Sequence, residues 1–146
     1  MENRVILHVD VNNAFLSWTA IERLKQGEKI DIRTIPAVIG GDEERRCGIV
    51  LAKSIPAKKC GIATGETLYM ARQKCPVLQV FKGDYKKYAY YSHQLYQLLL
   101  EYTDKIERFS IDECFLDMTH YLMGRTIMDV AKEINFRTKK ELRLYS

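Results

Sequence analysis

The sequence predicts an α+β fold from two observations. Short apolar runs of strand length are interspersed with segments whose apolar residues recur at helical spacing. No internal repeat and no low-complexity linker separates these runs. A chain of 146 residues is long enough for one domain around one modest hydrophobic core.

The first half of the chain is predicted to begin with a buried strand and a helix. Residues 4–11 are apolar and rich in β-formers up to Asp10, which ends the strand. Asn12 or Asn13 can cap the helix that follows, and this helix ends at Gly27. Further strands are predicted at Ile35–Gly40, Gly48–Ala52 and Val77–Phe81, with a polar turn at Gly41–Arg46. Short helices are predicted from Ser54 to Gly61 and from Thr67 to Lys74.

The second half contains the most regular helical pattern, at Asp84–Tyr102, where tyrosines and leucines share one side. Strands are predicted at Lys105–Ser110, Cys114–Asp117 and Leu142–Tyr145. The first two of these strands flank the acidic pair formed by Asp112 and Glu113. Thr126 with Asp129 predicts the start of another helix.

Composition excludes several classes of protein. No apolar run approaches the roughly 20 residues that a membrane-spanning helix needs. The N-terminus lacks a signal-peptide pattern, because Asp10 interrupts its apolar stretch. Four cysteines are scattered without a C-x-x-C pair, which argues against structural zinc. Reduced thiols in a cytoplasmic protein are therefore expected.

Charge is distributed unevenly along the chain, whose net charge is +4. Between Arg45 and Lys87 there are ten basic and two acidic residues, so this stretch carries +8 and the remainder −4. A basic segment beside an acidic remainder indicates a surface that faces phosphates. A solvated basic face without a partner is an equally good interpretation of charge alone.

Three carboxylates stand at the ends of predicted strands. Asp112 and Glu113 are neighbours, so they can serve one site only at a turn or a bulge. If their strands lie beside the strand that Asp10 ends, three carboxylates meet at one end of a sheet. Such acids repel each other unless a cation neutralises them, and Mg²⁺ suits two-metal phosphoryl or nucleotidyl transfer. Spacing alone favours the alternative, that they are solvated turn residues.

Two segments carry a resemblance to a known family: VDVNNAF at residues 9–15 and FSIDECFLD at residues 109–117. They resemble the motifs of the Y-family translesion DNA polymerases, in particular the DNA polymerase IV-like group. A third segment, AKSIPAKKCGI at residues 52–62, is similar to the fingers helix of that family. The resemblance runs in the same order through nearly all of the chain.

The resemblance implies a ferredoxin-like polymerase palm, truncated before or in its last strand, with a small basic fingers subdomain. Residues 1–18 and 84–146 would form the palm and residues 19–83 the fingers. The thumb and little-finger domains of the family would be absent from this chain.

The resemblance also implies a site for two Mg²⁺ ions. Asp10 and Asp112 would bridge both ions, and Glu113 would hold the ion at the primer terminus. The backbone carbonyl of Val11 would complete the ion on the nucleotide side. Asp112 and Glu113 are thereby the expected catalytic residues.

The incoming nucleotide is expected to contact Asn13, Ala14, Phe15 and Lys58. Phe15 falls where the family places an aromatic steric gate, a ring that excludes the 2′-hydroxyl of ribonucleotides; a plain core residue is the alternative. The family has a tyrosine and an arginine in the fingers where this chain has Ile55 and Lys58. Lysine keeps the charge of arginine but loses its bidentate fork.

The expected activity is template-directed DNA synthesis past damaged bases, with primer–template DNA and deoxynucleoside triphosphates as partners. A sliding clamp would be contacted through the missing C-terminal region. A palm without its last strand exposes a sheet edge, so self-association is also expected.

Two alternative functions remain open. In the first, the chain is a non-catalytic fragment that binds DNA or nucleotide weakly. In the second, remote one, the letters GGDE at residues 40–43 resemble the signature of diguanylate cyclases. The residue after them is Glu44 rather than an aromatic, which argues against a cyclase.

Overall fold

The computed structural model describes residues 4–41 and 48–142, and these divide into two compact units. Unit 1 comprises Met1–Asn12 and Lys86–Ser146, and unit 2 comprises Asn13–Tyr85. The predicted boundary between residues 18 and 19 falls inside the first helix, whereas the units divide before that helix begins.

Unit 1 contains an antiparallel sheet in the order β1-β6-β5. Its strands are β1 (Ile6–Asp10), β5 (Ile106–Ser110) and β6 (Glu113–Asp117). Burial alternates along β6, where Cys114 and Leu116 are buried and their neighbours are half-exposed. One face of the sheet is therefore packed and the other is accessible to solvent.

Two helices complete unit 1, α4 (Tyr85–Leu99) and α5 (Ile127–Leu142). The first residue of α4, Tyr85, belongs to unit 2. Both bury one apolar stripe, as the periodicity predicts. A polar network joins the end of α4 to α5: the Tyr102 hydroxyl donates to Glu133 at 2.7 Å, and Arg137 donates to Glu101 at 2.8 Å.

Unit 2 contains a mixed sheet in the order β3-β2-β4, in which β2 pairs antiparallel with β3 and parallel with β4. Its strands are β2 (Ala37–Gly40), β3 (Val50–Lys53) and β4 (Gln79–Lys82). Its helices are α1 (Ala14–Lys25), α2 (Ile55–Lys59) and α3 (Leu68–Lys74), with a 3₁₀ turn at Ile32–Thr34. Two clusters of buried apolar residues form its core.

The short helices begin and end where their sequences predict. The Ser54 hydroxyl accepts from the Ala57 amide at 3.2 Å, and the Thr67 hydroxyl accepts from the Met70 amide at 3.1 Å. Gly61 ends α2 in the left-handed region, with φ of +88°. In α5 the Thr126 hydroxyl accepts from the Asp129 amide at 3.1 Å.

Two predictions of local structure were wrong. Asn13 occupies the N-cap position of α1 in a left-handed backbone conformation but makes no side-chain cap; its side-chain amide donates instead to the carbonyl of Lys53. Leu142 is the last residue of α5 rather than the start of a strand. The rest of that predicted strand and most of the predicted turn at residues 41–46 lie outside the described residues.

None of the helices in the described part of the chain is long and apolar enough to cross a membrane.

Candidate functional site

The last residue of β1 and the first residue of β6 are both acidic. Asp10 lies directly opposite Glu113 in the antiparallel register. Directly opposed residues of an antiparallel pair project from the same face of the sheet. The condition set by the sequence, that the strands of these acids lie side by side, is therefore met for β1 and β6, and two of the three carboxylates stand on one face at one end of the sheet.

The third carboxylate, Asp112, lies in the tight turn between β5 and β6. The register shifts between Arg108 and Ser110, so the strand is irregular just before the turn. The sequence analysis expected a turn or a bulge here, because two adjacent acids can face one site only where the strand is irregular. The backbone of the turn is joined to β1, because the Val11 amide donates to the Asp112 carbonyl at 3.0 Å.

Hydrogen bonds hold the turn from within unit 1. The Ser110 hydroxyl donates to the Asp112 carboxylate at 2.8 Å. From α4, the Ser92 hydroxyl donates to the Ile111 carbonyl and accepts from the Arg108 guanidinium at 2.9 Å. The same guanidinium lies 5.1 Å from the ring centre of Tyr96. Sequence reasoning missed Ser92 and Arg108, because nothing in their spacing relates α4 to the acidic turn.

The solvent-facing side of the sheet carries an aromatic group beside the acids. His8 stacks on Phe115 with ring centres 4.4 Å apart, and Phe109 meets Phe115 edge-on at 5.9 Å. The Nε2 atom of His8 is 4.0 Å from an oxygen of Glu113. Phe109 is 67% exposed, so the ring on the outer side of this group is accessible to solvent.

Carboxylates and a backbone carbonyl are the oxygen ligands that Mg²⁺ prefers, so the donor types at this end of the sheet fit that ion. Among residues 4–41 and 48–142, however, no group of three or more His, Cys, Asp or Glu side chains is close enough together to bind a metal. The Asp112 carboxylate accepts from Ser110, and Glu113 approaches His8.

The acid downstream of the turn has a structural role. Asp117 accepts from the Thr119 amide at 3.0 Å and from the Thr119 hydroxyl at 2.6 Å. These hydrogen bonds, with a smaller contribution from Arg4, hold the pKa of the Asp117 carboxyl below its ordinary value. They close the chain after β6 rather than direct Asp117 to the other acids.

In unit 2, α1 begins at Ala14, with Asn13 at its N-cap position and Phe15 in its first turn. Ala14 is buried, and the half-buried Phe15 packs against one of the two core clusters. The Phe15 ring meets Tyr85 edge-on, with ring centres 6.0 Å apart, and lies 6.5 Å from Trp18. Phe15 is thus partly a core residue and partly accessible, which is compatible with either of its predicted roles.

Lys58 and Ile55 lie one turn apart on α2 and are both exposed. Ile55 is 67% exposed, so it does not fill the core of unit 2. Because the Ser54 cap and the buried Ala57 fix the inner side of α2, the outer side presents Lys58 to solvent. Basic residues of the stretch from Arg45 to Lys87 thus reach the surface at this helix.

Comparison with known proteins identifies the family. Residues 9–146 match the impB/mucB/samB family. DNA polymerase IV of Clostridium acetobutylicum is 56% identical over 140 residues, which cover 96% of this chain and 35% of that protein. DNA polymerase IV of Acetivibrio thermocellus is 42% identical over 143 residues, covering 95% and 34%. The chain thus spans about a third of the length of the curated relatives it matches.

The fold agrees with the sequence match. A Y-family DNA polymerase chimera of Dbh and Dpo4 superposes with a TM-score of 0.82 at 24% identity, covering 96% of this chain and 40% of that one. The predicted α+β fold is confirmed, and so is its similarity to the palm and fingers region. The chain belongs to the impB/mucB/samB family, that of the Y-family DNA polymerases.

Proposed function

We propose that the protein synthesises DNA on a template, by nucleotidyl transfer past damaged bases. The observation that carries this proposal is the pairing of Asp10 with Glu113 beside the turn that contains Asp112. Family membership adds the chemistry that such an acidic sheet end would serve. Because the chain spans about a third of its relatives, the activity is proposed for the whole protein that contains it.

Asp10, Asp112, Glu113 and the backbone carbonyl of Val11 would hold two Mg²⁺ ions. When bound, these ions would activate the primer 3′-hydroxyl for attack on the α-phosphate and stabilise the leaving pyrophosphate. The chain's own contribution is to fix the acids on one end of a sheet. The bond from the Val11 amide to the Asp112 carbonyl supports this role, because it joins the two backbone segments that carry the ligands.

Residues of unit 2 would bind the incoming deoxynucleotide. Phe15 would contact its sugar and exclude a 2′-hydroxyl, with Asn13 and Ala14 beside it. The T-shaped contact with Tyr85 supports this role, since it restricts the orientation of the Phe15 ring. The exposed Lys58 would offer its charge to the triphosphate.

In this proposal unit 1 corresponds to the palm and unit 2 to the fingers. Primer–template DNA and deoxynucleoside triphosphates are the substrates, and a sliding clamp would be contacted by parts of the protein beyond this chain. The protein would act in the cytoplasm, with its cysteines reduced under ordinary conditions.

Primer extension by the full-length protein tests the proposal. Asp112→Asn removes one charge and keeps the shape of the turn, and it should abolish synthesis. Glu107→Gln is the matched control, because Glu107 is an exposed carboxylate of β5 in the same sheet. The control should extend primers at the wild-type rate. Synthesis by Asp112→Asn at that rate would overturn the proposal.

A second candidate function is binding of DNA or nucleotide without catalysis. It is favoured by the absence, among the residues that the structure describes, of three acidic or other metal-binding side chains close together. Binding of primer–template DNA with no extension by wild type in Mg²⁺ or Mn²⁺ would select this alternative. The remote cyclase alternative rests on Asp42 and Glu43, which lie outside the described residues, and family membership argues against it.

A further inference from the structure

A buried hydroxyl of α4 contacts the backbone of the acidic turn. Ser92 is 4% exposed, and its hydroxyl donates to the carbonyl of Ile111, the residue directly before Asp112. The same oxygen accepts from the Arg108 guanidinium at 2.9 Å. A guanidinium has no acceptor atom and a serine hydroxyl has one hydrogen, so that hydrogen is left for the Ile111 carbonyl. Arg108 therefore fixes the direction in which Ser92 donates.

The Ile111 carbonyl belongs to the peptide unit that leads into Asp112. Because a peptide unit is planar, a hydrogen bond to its oxygen also sets the direction of the Asp112 amide in the same plane. On the other side, the Asp112 carbonyl accepts from the Val11 amide at 3.0 Å. Both peptide units that flank the α-carbon of Asp112 are thus held, one from α4 and one from the residue after β1. Together these contacts restrict the two backbone dihedral angles of Asp112.

The side chain of Asp112 is held separately and less securely. The Ser110 hydroxyl donates to its carboxylate at 2.8 Å, but Ser110 is exposed, so water competes for this bond. Ser92 is sheltered from water, and the net value of its hydrogen bonds depends on both partners being present. The buried contact, rather than the exposed one, therefore defines where the Asp112 side chain leaves the backbone.

The helix that carries Ser92 is firmly anchored. Tyr88, Tyr91 and Leu95 of α4 are all buried in unit 1. The Arg108 guanidinium lies 5.1 Å from the ring centre of Tyr96, which is one turn along α4 from Ser92. Arg108 thus contacts α4 at two places. A donor on a rigid element holds its acceptor more precisely than a donor on a loop.

We propose that Ser92, oriented by Arg108, is a positioning residue that holds the backbone of Asp112 so that its carboxylate is available to bind Mg²⁺. Both residues act through Asp112, and neither contacts the ion in this role. The role rests on the proposed function, since it requires Asp112 to be a ligand of the ion. Loss of the Ser92 hydroxyl should leave synthesis possible but raise the Mg²⁺ concentration that it needs.

Primer extension by the full-length protein over a series of Mg²⁺ concentrations tests the proposal. Ser92→Ala should raise the Mg²⁺ concentration for half-maximal rate about three- to tenfold, the equivalent of one lost hydrogen bond. The rate at saturating Mg²⁺ should fall by a smaller factor, because the acids themselves remain. Thr138→Ala is the matched control, since its buried hydroxyl donates to the Asn135 carbonyl within α5 of the same unit. It should lower stability in urea and leave the Mg²⁺ requirement unchanged.

Arg108→Met gives a second test, whose sign separates positioning from simple electrostatics. Methionine keeps an apolar stem and removes both the donor and the charge. Coulomb's law alone predicts that loss of a positive charge near the acids strengthens cation binding and lowers the Mg²⁺ requirement. Positioning predicts a higher requirement, because the Ser92 hydroxyl loses the group that directs it. Arg108 is exposed, so this variant also serves if Ser92→Ala does not fold.

Binding of Mn²⁺ to the full-length protein without DNA or nucleotide gives a measurement that does not depend on catalysis. Mn²⁺ takes oxygen ligands as Mg²⁺ does, and electron paramagnetic resonance reports its free concentration. Ser92→Ala should bind Mn²⁺ about three- to tenfold more weakly than wild type. Asp112→Asn should bind it more weakly still, and Thr138→Ala should bind it as wild type does.

The outcomes distinguish this role from the proposed function. Wild-type Mn²⁺ affinity and Mg²⁺ requirement in Ser92→Ala, or an equal change in Thr138→Ala, would overturn the positioning role while Asp112→Asn still abolished synthesis. A lower or unchanged Mg²⁺ requirement in Arg108→Met would overturn the part assigned to Arg108, and the whole role where Ser92→Ala does not fold. Wild-type Mn²⁺ binding and synthesis in Asp112→Asn would overturn the proposed function itself, and the positioning role with it.

Discussion

Asp10 of β1 stands directly opposite Glu113 of β6, so two carboxylates share one face at the end of an antiparallel sheet. Like charges in such a pair destabilise a sheet by about 0.2–1 kcal/mol. Nothing in the folding of unit 1 requires this cost, since an asparagine or glutamine would form the same strand end. The cation proposed for this site would offset the repulsion between the two groups, which makes the sheet end the best target for mutation.

Asp10→Asn should remove most of the stabilisation that Mg²⁺ gives to the protein. A ligand that binds only the folded state raises its stability in proportion to the logarithm of its concentration over Kd. Thermal unfolding with increasing Mg²⁺ should therefore show a rising midpoint for wild type and a much smaller rise for Asp10→Asn. In EDTA the variant should melt at the wild-type temperature or slightly above it, because a like-charge repulsion is gone.

The same variant should lose at least about 100-fold in primer extension, the scale of losing one charge-stabilising group. Glu107→Gln should retain both the Mg²⁺ response and the activity. An Mg²⁺ response in Asp10→Asn equal to that of wild type would show that the acid is not a ligand.

Phe15→Ala should allow ribonucleotides to be incorporated if the ring contacts the sugar of the incoming nucleotide. The ratio of kcat/KM for a deoxynucleotide to that for the matching ribonucleotide measures this selectivity. Phe15 also packs against a core cluster, so the variant should be less stable by about 1–3 kcal/mol, at or below the usual cost of truncating a fully buried phenylalanine.

Phe81→Ala separates these two effects. Phe81 packs against the same cluster and lies under the Arg23 guanidinium at 4.4 Å, so its loss should cost similar stability. Sugar selectivity should stay at the wild-type ratio in Phe81→Ala and fall in Phe15→Ala. A similar fall in both variants would assign Phe15 to the core alone.

Ser54→Ala should destabilise unit 2 by about 2 kcal/mol, because one buried hydroxyl serves three backbone groups. It accepts from the amides of Ala57 and Ala37 at 3.2 and 3.0 Å and donates to the Ile35 carbonyl at 2.6 Å. Urea unfolding measures the loss. Thr126→Ala, which removes the exposed cap of α5, should cost about 1 kcal/mol or less. An equal or larger loss in Thr126→Ala would contradict the assigned role of Ser54.

Local patterns predicted most of the elements because their causes are local. Ser54, Thr67 and Thr126 cap their helices through amides three residues ahead, which is a relationship that the sequence displays directly. The same reasoning failed at Asn13. Its side chain finds the carbonyl of Lys53, 40 residues away, and no local rule contains that partner.

The sequence pointed to the acidic residues of the candidate site, but it did not point to the residues that hydrogen-bond to the turn beside them. Asp10, Asp112 and Glu113 stand at visible breaks in apolar runs, and the register of β1 with β6 confirms that the first and last are neighbours. Ser92 and Arg108 hold the turn through a contact between α4 and β5 that depends on tertiary packing.

The stability of the protein should fall at low pH partly because the Asp31 carboxylate becomes protonated. Its carboxylate accepts from the side chain and amide of Arg33, and the side-chain hydrogen bond is the largest cause that holds its pKa below 3.8. A depressed pKa gives stability that is complete above the unfolded value and is lost as pH falls through the folded value. Asp31→Asn should therefore show a smaller loss of stability than wild type between about pH 5 and pH 2.

Arg33→Gln provides the matched control for Asp31, because it removes the partner and keeps the carboxyl. It should reduce the same acid loss of stability, since the Asp31 pKa then returns toward its ordinary value. Chemical unfolding at a series of pH values measures both variants. If the unfolding free energy of both variants fell with pH in parallel with that of wild type across this range, Asp31 would not contribute to the loss of stability in acid.

Self-association should occur through β1. Among the strands that the structure describes, β1 pairs with β6 alone, so one of its edges has no strand beside it. Such an edge can pair with that of a second chain, and a lysine on an edge strand opposes this. Light scattering on the 146-residue chain should show a mass that rises with concentration, and Ile6→Lys, at a site 46% exposed on β1, should reduce that rise. Ile30→Lys replaces an isoleucine of 61% exposure that belongs to no strand, and it should leave the rise unchanged. A monomer at every concentration would show that this edge does not recruit a second copy.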